Sequence, residues 1–175
     1  MRLPHTLTIA AVALLAACDP QKPEAPPVEA PSVAEAPTYQ ALTGLFGATS
    51  STAMGITGDL AVTPERVTLS KGEQLDTAPA TEILPTALIA AGGKSFAETY
   101  VGPTSLALEL RKVTAATVLE GTTPQKVCGD TPVSYLAFAY DADRAVVTML
   151  AFSGAEAPGD AATNSQLCGT FSYGE

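Results

Sequence analysis

The sequence predicts a mainly β fold, a single small antiparallel sheet or barrel with one or two short helices, preceded by a disordered linker. Three observations support this fold class. Short apolar segments with two-residue alternation recur along residues 58–173 and are separated by turn residues. Two of these segments are apolar on both faces, as expected for the middle of a covered sheet. The residues before position 38 carry almost no large apolar side chains after the first 17, so they cannot contribute to a core.

The first predicted strands form a hairpin. Residues 58–62 and 66–70 flank Thr63-Pro64-Glu65, and the proline favours a tight turn between them. Lys71-Gly72 begins a second turn, after which residues 73–77 add a short third strand. The sequence therefore predicts a hairpin that a third strand can extend.

The segment Ser105–Arg111 has the clearest alternation in the chain. Its three leucines share one face, while Glu109 and Arg111 share the other. Antiparallel sheets commonly bury one face and expose the other to water. We therefore expect a strand whose polar face is solvated.

The segments Val133–Tyr140 and Ala145–Phe152 differ from it because they place bulky apolar groups on both faces. We expect them in the middle of the sheet, covered on both sides. The link Asp141–Arg144 has the length and polarity of a tight hairpin connection. Gly169–Tyr173 is the predicted terminal strand.

Two segments have helical features. Thr38–Phe46 spaces its large apolar residues at helical intervals, which predicts a short amphipathic turn over one end of the sheet. Thr81–Ala91 is rich in alanine, leucine and isoleucine. Pro85 near its start and Gly92-Gly93 after its end limit any helix there to two or three turns.

Composition divides the chain into residues 1–17, 18–37 and 38–175. The middle part is rich in proline, alanine and glutamate and cannot offset its ordering entropy, so we expect a disordered spacer. At about 3.1 Å per residue its reach is up to roughly 60 Å. A proline-rich recognition motif is the alternative, but no basic flank accompanies it. Residues 38–175 have the size of one globular domain.

The N-terminal residues have the three parts of a secretory signal. Arg2 provides the positive start, Leu7–Leu15 is the apolar core, and small residues follow it directly. This core is shorter than the roughly 20 apolar residues that span a bilayer. A buried thiol at the end of an apolar helix, or an uncleaved anchor, is the alternative interpretation of Cys18.

The tetrad Leu15-Ala16-Ala17-Cys18 resembles the lipobox of bacterial lipoproteins. The resemblance implies removal of residues 1–17 as a signal peptide, thioether lipidation of Cys18 and acylation of its new amino group by a chain such as palmitate. Two or three acyl chains anchor a protein to a membrane without spanning it. Asp19 is similar to the inner-membrane retention residue of enteric lipoproteins, which implies a domain facing the periplasm and slightly favours the inner membrane.

Two C-terminal segments are similar to segments of small proteobacterial lipoproteins of unknown role. They are Cys128–Leu136, with the sequence CGDTPVSYL, and Leu167–Tyr173, with the sequence LCGTFSY. This similarity transfers no functional residue to the present chain.

Cys128 and Cys168 are the remaining cysteines, and in an exported protein we expect them to form a disulfide. A bridge closing a loop of about 40 residues stabilises a fold by roughly 4 kcal/mol on the chain-entropy model. It would connect the entrance of the Val133–Tyr140 strand to the terminal strand. A redox or metal-binding pair is the alternative, but no CxxC motif or histidine accompanies these residues.

Histidine usage argues against an enzyme. The one histidine, His5, lies in the predicted signal peptide, so the mature domain has no residue for a Ser-His-Asp or Cys-His triad or for HExxH zinc chemistry. Carboxylate or Ser-Lys chemistry remains, but no S-x-x-K, G-x-S-x-G or phosphate-loop motif marks it. The sequence therefore predicts no catalytic residues and no cofactor.

Asp141 and Asp143, with Asp130 before the paired strands, are the candidate metal ligands. Carboxylates one residue apart can bind calcium, but the pattern lacks the further acidic residues and the glycine of an EF-hand loop. Because aspartate favours turns, we interpret them as solvated turn residues and predict no metal site. The net charge of -9 disfavours nucleic acid and anionic headgroups as partners.

These observations predict a membrane-anchored envelope lipoprotein that acts as a binding or accessory module. Its expected partners are the membrane, through the lipid, and an envelope protein or a small ligand. The alternatives are a structural or assembly component, an inhibitor of an exported enzyme and a carboxylate-based enzyme. A ligand-binding barrel should hold an internal pocket with convergent polar groups, whereas an accessory protein should be packed solid and expose an apolar patch.

Overall fold

The computed structural model describes residues 40–99 and 107–175. The regular elements of this part of the chain are β1 (Gly44–Ala48), a π-helical turn (Ala53–Thr57), β2 (Leu60–Thr63), β3 (Arg66–Leu69), β4 (Glu73–Thr77), β5 (Thr81–Glu82), α1 (Phe96–Thr99), β6 (Ala107–Val118), β7 (Tyr135–Tyr140), β8 (Val146–Ser153) and β9 (Gln166–Gly174).

The strands form a closed antiparallel barrel. Their order is β4-β3-β2-β1-β9-β8-β7-β6, and a further pairing of β4 with β6 closes the ring of eight. The two-residue strand β5 adds to the outside of this ring by pairing with β6. Apart from that addition, each strand pairs with its neighbours in sequence and the first strand, β1, pairs with the last, β9, which is an up-and-down arrangement. The predicted mainly β fold is confirmed, and the sheet is a barrel.

The predicted hairpins are present. Thr63 pairs with Arg66 across the Pro64-Glu65 turn, and β3 pairs with β4 in the same way. The alternation of β2, β3 and β4 places their large apolar side chains in the barrel interior, where they are almost completely buried. β7 and β8 are joined at residues 141–145, and the β7 side chains are buried on both faces as predicted.

Two apolar clusters explain why β7 and β8 are apolar on both faces. The first fills the barrel interior and includes Phe138, Met149 and Phe171. The second lies outside the barrel, where residues 83–99 cover the outer face of β6, β7 and β8. In this second cluster the rings of Phe96 and Phe152 pack in a T-shaped arrangement at a centroid distance of 6.0 Å. One wall of the barrel is therefore packed on both sides.

Both helix predictions are wrong. Of the segment Thr38–Phe46, the described residues begin without regular structure and then form β1, because a strand can bury Phe46 in the interior and leave Leu45 outside. Thr81–Ala91 forms β5 and a series of turns. Pro85 and the glycines after the segment interrupt a helix, and the extended chain instead bonds to the barrel through Ile83 N–H and Leu108 O at 3.0 Å. The short helical segments lie elsewhere, at the π-helical turn and α1.

The predicted solvated face of Ser105–Arg111 is also wrong. Ser105 and Leu106 lie outside the described residues, and the remaining residues begin β6, whose polar face points into the barrel. Glu109 and Arg111 are both fully buried. The leucine face instead points outward, under the covering segment 83–99. Alternation identified the two faces correctly. The polar face is inside because Glu109 and Arg111 bind each other and the backbone of the segment just before β1.

Candidate functional site

One end of the barrel is closed by a buried ion pair that holds the backbone of Leu42. Arg111 Nε donates to Glu109 Oε1 at 2.7 Å. A second guanidinium nitrogen of Arg111 donates to the Leu42 carbonyl at 2.8 Å, while the Leu42 N–H donates to Glu109 Oε2 at 2.9 Å. The two charged side chains therefore satisfy both backbone groups of one residue inside the barrel.

The same cluster includes two aromatic residues. Tyr140 Oη donates to the Gln40 carbonyl at 2.7 Å and lies 3.2 Å from Glu109 Oε2. Burial and the negative charge of Glu109 raise the pKa of the Tyr140 hydroxyl. The Arg111 guanidinium lies 5.7 Å from the centroid of the Phe138 ring, a cation–π distance. Since Glu109 and Arg111 have no exposed surface, we interpret this cluster as a structural lock.

The other end of the barrel is closed by the π-helical turn and by the loop before β7. Thr57 Oγ1 and the Tyr173 hydroxyl are 2.7 Å apart, and burial raises the pKa of Tyr173. Cys128 in the loop forms a disulfide with Cys168 in β9, with their Cα atoms 4.9 Å apart. The predicted pairing is confirmed, and it ties the entrance of β7 to the terminal strand.

The barrel interior is filled by side chains. Its apolar cluster runs between the two closed ends, and most of its members have almost no exposed surface. The main grooves of the described chain lie on its surface and are open to solvent. Of the two architectures that the sequence left open, this one fits a solidly packed accessory protein better than a barrel with an internal ligand pocket.

The three candidate aspartates do not come together. Asp130 is in the loop before β7, where it binds Lys126 at 2.9 Å. Asp141 and Asp143 follow the end of β7, and a six-residue strand spans roughly 20 Å. Among residues 40–99 and 107–175, no group of three or more histidine, cysteine, aspartate or glutamate side chains could hold a metal ion.

The predicted lipidation site Cys18 and the neighbouring Asp19 lie outside the described residues. The same is true of the predicted signal peptide and most of the linker. In the described ranges, every helix is too short to cross a bilayer.

One surface groove, of about 350 Å³, lies on the outer face of β1, β2 and β3. Its floor is formed by small residues, including Gly47 and Ala61, and Leu45 stands beside it with 79% of its surface exposed. This groove is apolar and open.

A second groove, of about 360 Å³, runs along β6. One wall is formed by Lys112–Ala116 and the other by Pro132–Tyr135 together with Gly154. Gly154 has φ +113°, and a Cβ there would collide with the Asn164 backbone carbonyl, so this wall requires glycine. The groove arises because β7 pairs only with the first half of β6.

The second half of β6 therefore has one neighbour in the described chain. Val113 and residues 115–118 pair with β4 on one side, and the register shift skips Thr114. On the other side, the Val113 N–H donates to the Ser134 carbonyl at 2.8 Å, and the ladder with β7 ends there. Thr114–Val118 are exposed to solvent. The arrangement presents an open strand edge to the groove.

Sequence reasoning missed this edge because it ended the strand at Arg111. The continuation Lys112–Val118 is rich in β-branched residues, with Val113, Thr114, Thr117 and Val118, which is a strand signal. Nothing in the residues themselves indicated that β7 would pair with only half of β6.

Comparisons with protein-family models, with curated proteins and with solved structures found no match to this chain.

Proposed function

We propose that this chain is a lipid-anchored protein of the bacterial envelope whose barrel is a binding module for another exported polypeptide. The lipobox tetrad ending in Cys18 supports the anchor and the location. The exposed edge of β6 beside a walled groove is the observation that carries the binding role.

The argument for binding a polypeptide rests on what the barrel offers to a partner. In the described ranges its interior holds a cluster of buried apolar side chains of its own, which favours a partner that binds on the outside. An open strand edge presents unpaired N–H and C=O groups, which recognise an extended chain through backbone hydrogen bonds. The wall opposite that edge supplies side-chain contacts along the groove.

The anchor is tested by expressing the full chain in a Gram-negative bacterium. We expect membrane-associated protein whose mass corresponds to residues 18–175 plus the acyl groups, and a Cys18→Ala variant without this modification. An unmodified, full-length amino terminus in the native polypeptide would contradict the anchor.

The binding role is tested by site-specific photocrosslinking in intact cells. A photoreactive residue is placed at Ala115, which lines the groove, or at Thr68, which lies on the outer face of β3 as a control. We expect a discrete adduct from position 115 that disappears when Ala116→Pro is added, and no such adduct from position 68. Equal crosslinking from both positions, or adducts that persist with Ala116→Pro, would overturn the proposed binding edge.

A further inference from the structure

The direction of the backbone groups on the second half of β6 follows from its register. Leu119 N–H donates to the Gly72 carbonyl at 2.8 Å, next to the pair Glu73 and Val118. In an antiparallel ladder this makes the Glu73–Val118 pair a non-hydrogen-bonded one. The N–H and C=O groups of Ala116 and Val118 therefore point away from β4. Within the described chain no hydrogen bond is made to these groups.

The free edge has a fixed length. At one end, Val113 is already bonded to Ser134. At the other end, the chain leaves the strand after Val118 and turns at Glu120. Between these limits lie five residues, Thr114–Val118, which can pair with a short segment of another chain.

The groove fits one added strand. Adjacent strands lie about 4.8 Å apart, so an added strand occupies the space next to β6 and then meets the wall formed by Pro132–Tyr135. If a second copy of this chain paired through its own β6, the β4 strand of that copy would lie one strand spacing further from the first β6. At that position it would collide with the wall. The two-walled shape therefore favours a single extended segment over a second barrel.

The free edge ends at Val113, which is bonded to Ser134, and Lys112 carries a positive charge at the same place. Together they determine which end of a bound peptide lies at this end of the groove. A strand antiparallel to β6 reaches this end with its C-terminus, and a parallel strand reaches it with its N-terminus. Lys112 is exposed, lines the groove, and has no carboxylate within ion-pair distance in the described ranges. An ammonium group attracts a C-terminal carboxylate and repels an N-terminal amine.

We propose that the groove along β6 binds the extended C-terminal segment of an exported polypeptide as an added antiparallel strand. The backbone groups of Ala116 and Val118 bond to the segment, and its terminal carboxylate lies at Lys112. This inference rests on the proposed function, because it specifies which part of a partner the edge recognises.

The test uses the full-length protein in detergent and two pools of acetylated hexapeptides randomised at every position. One pool ends in a free carboxylate and the other in an amide. Backbone N–H signals of Ala116 and Val118 are followed by NMR during titration. We expect both signals to shift with the carboxylate pool, with an apparent affinity about fivefold higher than for the amidated pool, as for an exposed ion pair.

Two variants assign the effect. Lys112→Gln removes the charge. It should lower the affinity for the carboxylate pool until the two pools bind equally, and it should leave the affinity for the amidated pool unchanged. Ala116→Pro removes one edge N–H and should abolish binding of both pools. Leu45→Ala, on the exposed face of β1, is the control and should leave both affinities unchanged.

The outcomes separate this inference from the proposed function. Equal binding of the two pools by the wild-type protein, or a preference for the carboxylate pool that persists in Lys112→Gln, would overturn the assignment of the carboxylate while leaving the binding edge intact. Absence of any shift at Ala116 and Val118 with either pool, at peptide concentrations up to the millimolar range, would overturn the strand addition itself. Concentration-dependent dimers that Ala116→Pro abolishes would identify a second copy as the occupant and would also overturn it.

Discussion

The two halves of β6 have the same backbone conformation and opposite environments. Residues 107–112 have β7 on one side and their inward side chains in the barrel, and the outward side chains of Leu108 and Leu110 lie under the covering segment. Residues 114–118 are exposed, and residues 115–118 pair with β4. The first half contains the fully buried Glu109 and Arg111, whereas Val118 in the second half is 61% exposed.

This difference shows how a closed barrel can still present an edge. Closure requires only that each strand pair with two neighbours somewhere along its length. β6 pairs with β7 through its first half and with β4 through its second half. The shift between Asp76 and Thr77 marks the place where β6 changes its pairing. The barrel thus stays stable through the first half of β6 and has the second half available for contact.

The largest expected effect is in the buried half. Arg111→Met leaves the Glu109 carboxylate in the interior without the guanidinium and removes the donor to the Leu42 carbonyl. Breaking a buried ion pair in this way should lower the free energy of unfolding by about 3–5 kcal/mol, measured by urea denaturation.

The matched control for that variant is Arg66→Met. Arg66 Nε lies 2.7 Å from Asp76 Oδ1, but both side chains are substantially exposed, at 49% and 38%. The expected loss is at most about 1 kcal/mol. Equal losses for the two variants would contradict the view that the Glu109–Arg111 pair locks the barrel.

A second large effect concerns the loop that leaves the edge of β6 uncovered. The Cys128–Cys168 bridge closes a 40-residue separation and holds this loop against β9. Replacing both cysteines by alanine should lower the free energy of unfolding by about 4 kcal/mol on the chain-entropy model. Wild-type protein under reducing conditions should show the same loss, and unchanged stability in both cases would rule out a structural role for the bridge.

Truncation of one apolar side chain in each half tests the comparison directly. Leu108 is 1% exposed and packs under the covering segment, so Leu108→Ala should cost about 2–4 kcal/mol. Val118→Ala, in the exposed half, should change stability by less than about 0.5 kcal/mol. Thermal unfolding of both variants measures the two losses of stability. Similar losses at the two positions would contradict the proposed difference between the halves of β6.

The smallest effect is a pH dependence at the end of the exposed half. Burial raises the pKa of the Glu73 carboxyl above its ordinary value of 4.5. The folded protein then binds this proton more tightly than the unfolded chain, so stability falls as pH rises through the folded pKa. Lys126 lines the same groove as Glu73 but is bonded to Asp130 at 2.9 Å.

Glu73→Gln should remove that dependence. We expect a higher melting temperature than wild type at pH 7 and the same melting temperature at or below about pH 3, where Glu73 is protonated in both states. A variant that is less stable than wild type at pH 7 would show that the ionised carboxylate is stabilising instead.

The predictable parts of this fold are those that local patterns determine. The hairpin around Pro64 followed from alternation and turn residues, the strands that became β7 and β8 from apolar groups on both faces, and the disulfide from the two cysteines that remain besides Cys18. The face of β6 could not be predicted, because only the closed barrel brings Leu42 to the Glu109–Arg111 pair, 67 and 69 residues away. The open edge could not be predicted either, since it depends on where β7 stops pairing.

The clamp on Leu42 has a mechanical consequence. Because Glu109 and Arg111 form hydrogen bonds to its N–H and carbonyl, these bonds do not depend on which side chain occupies that position. A pull on the chain from its amino-terminal side therefore meets the grip at Leu42 before it reaches β1. The buried ion pair therefore protects the barrel from unfolding strand by strand when force is applied from that side.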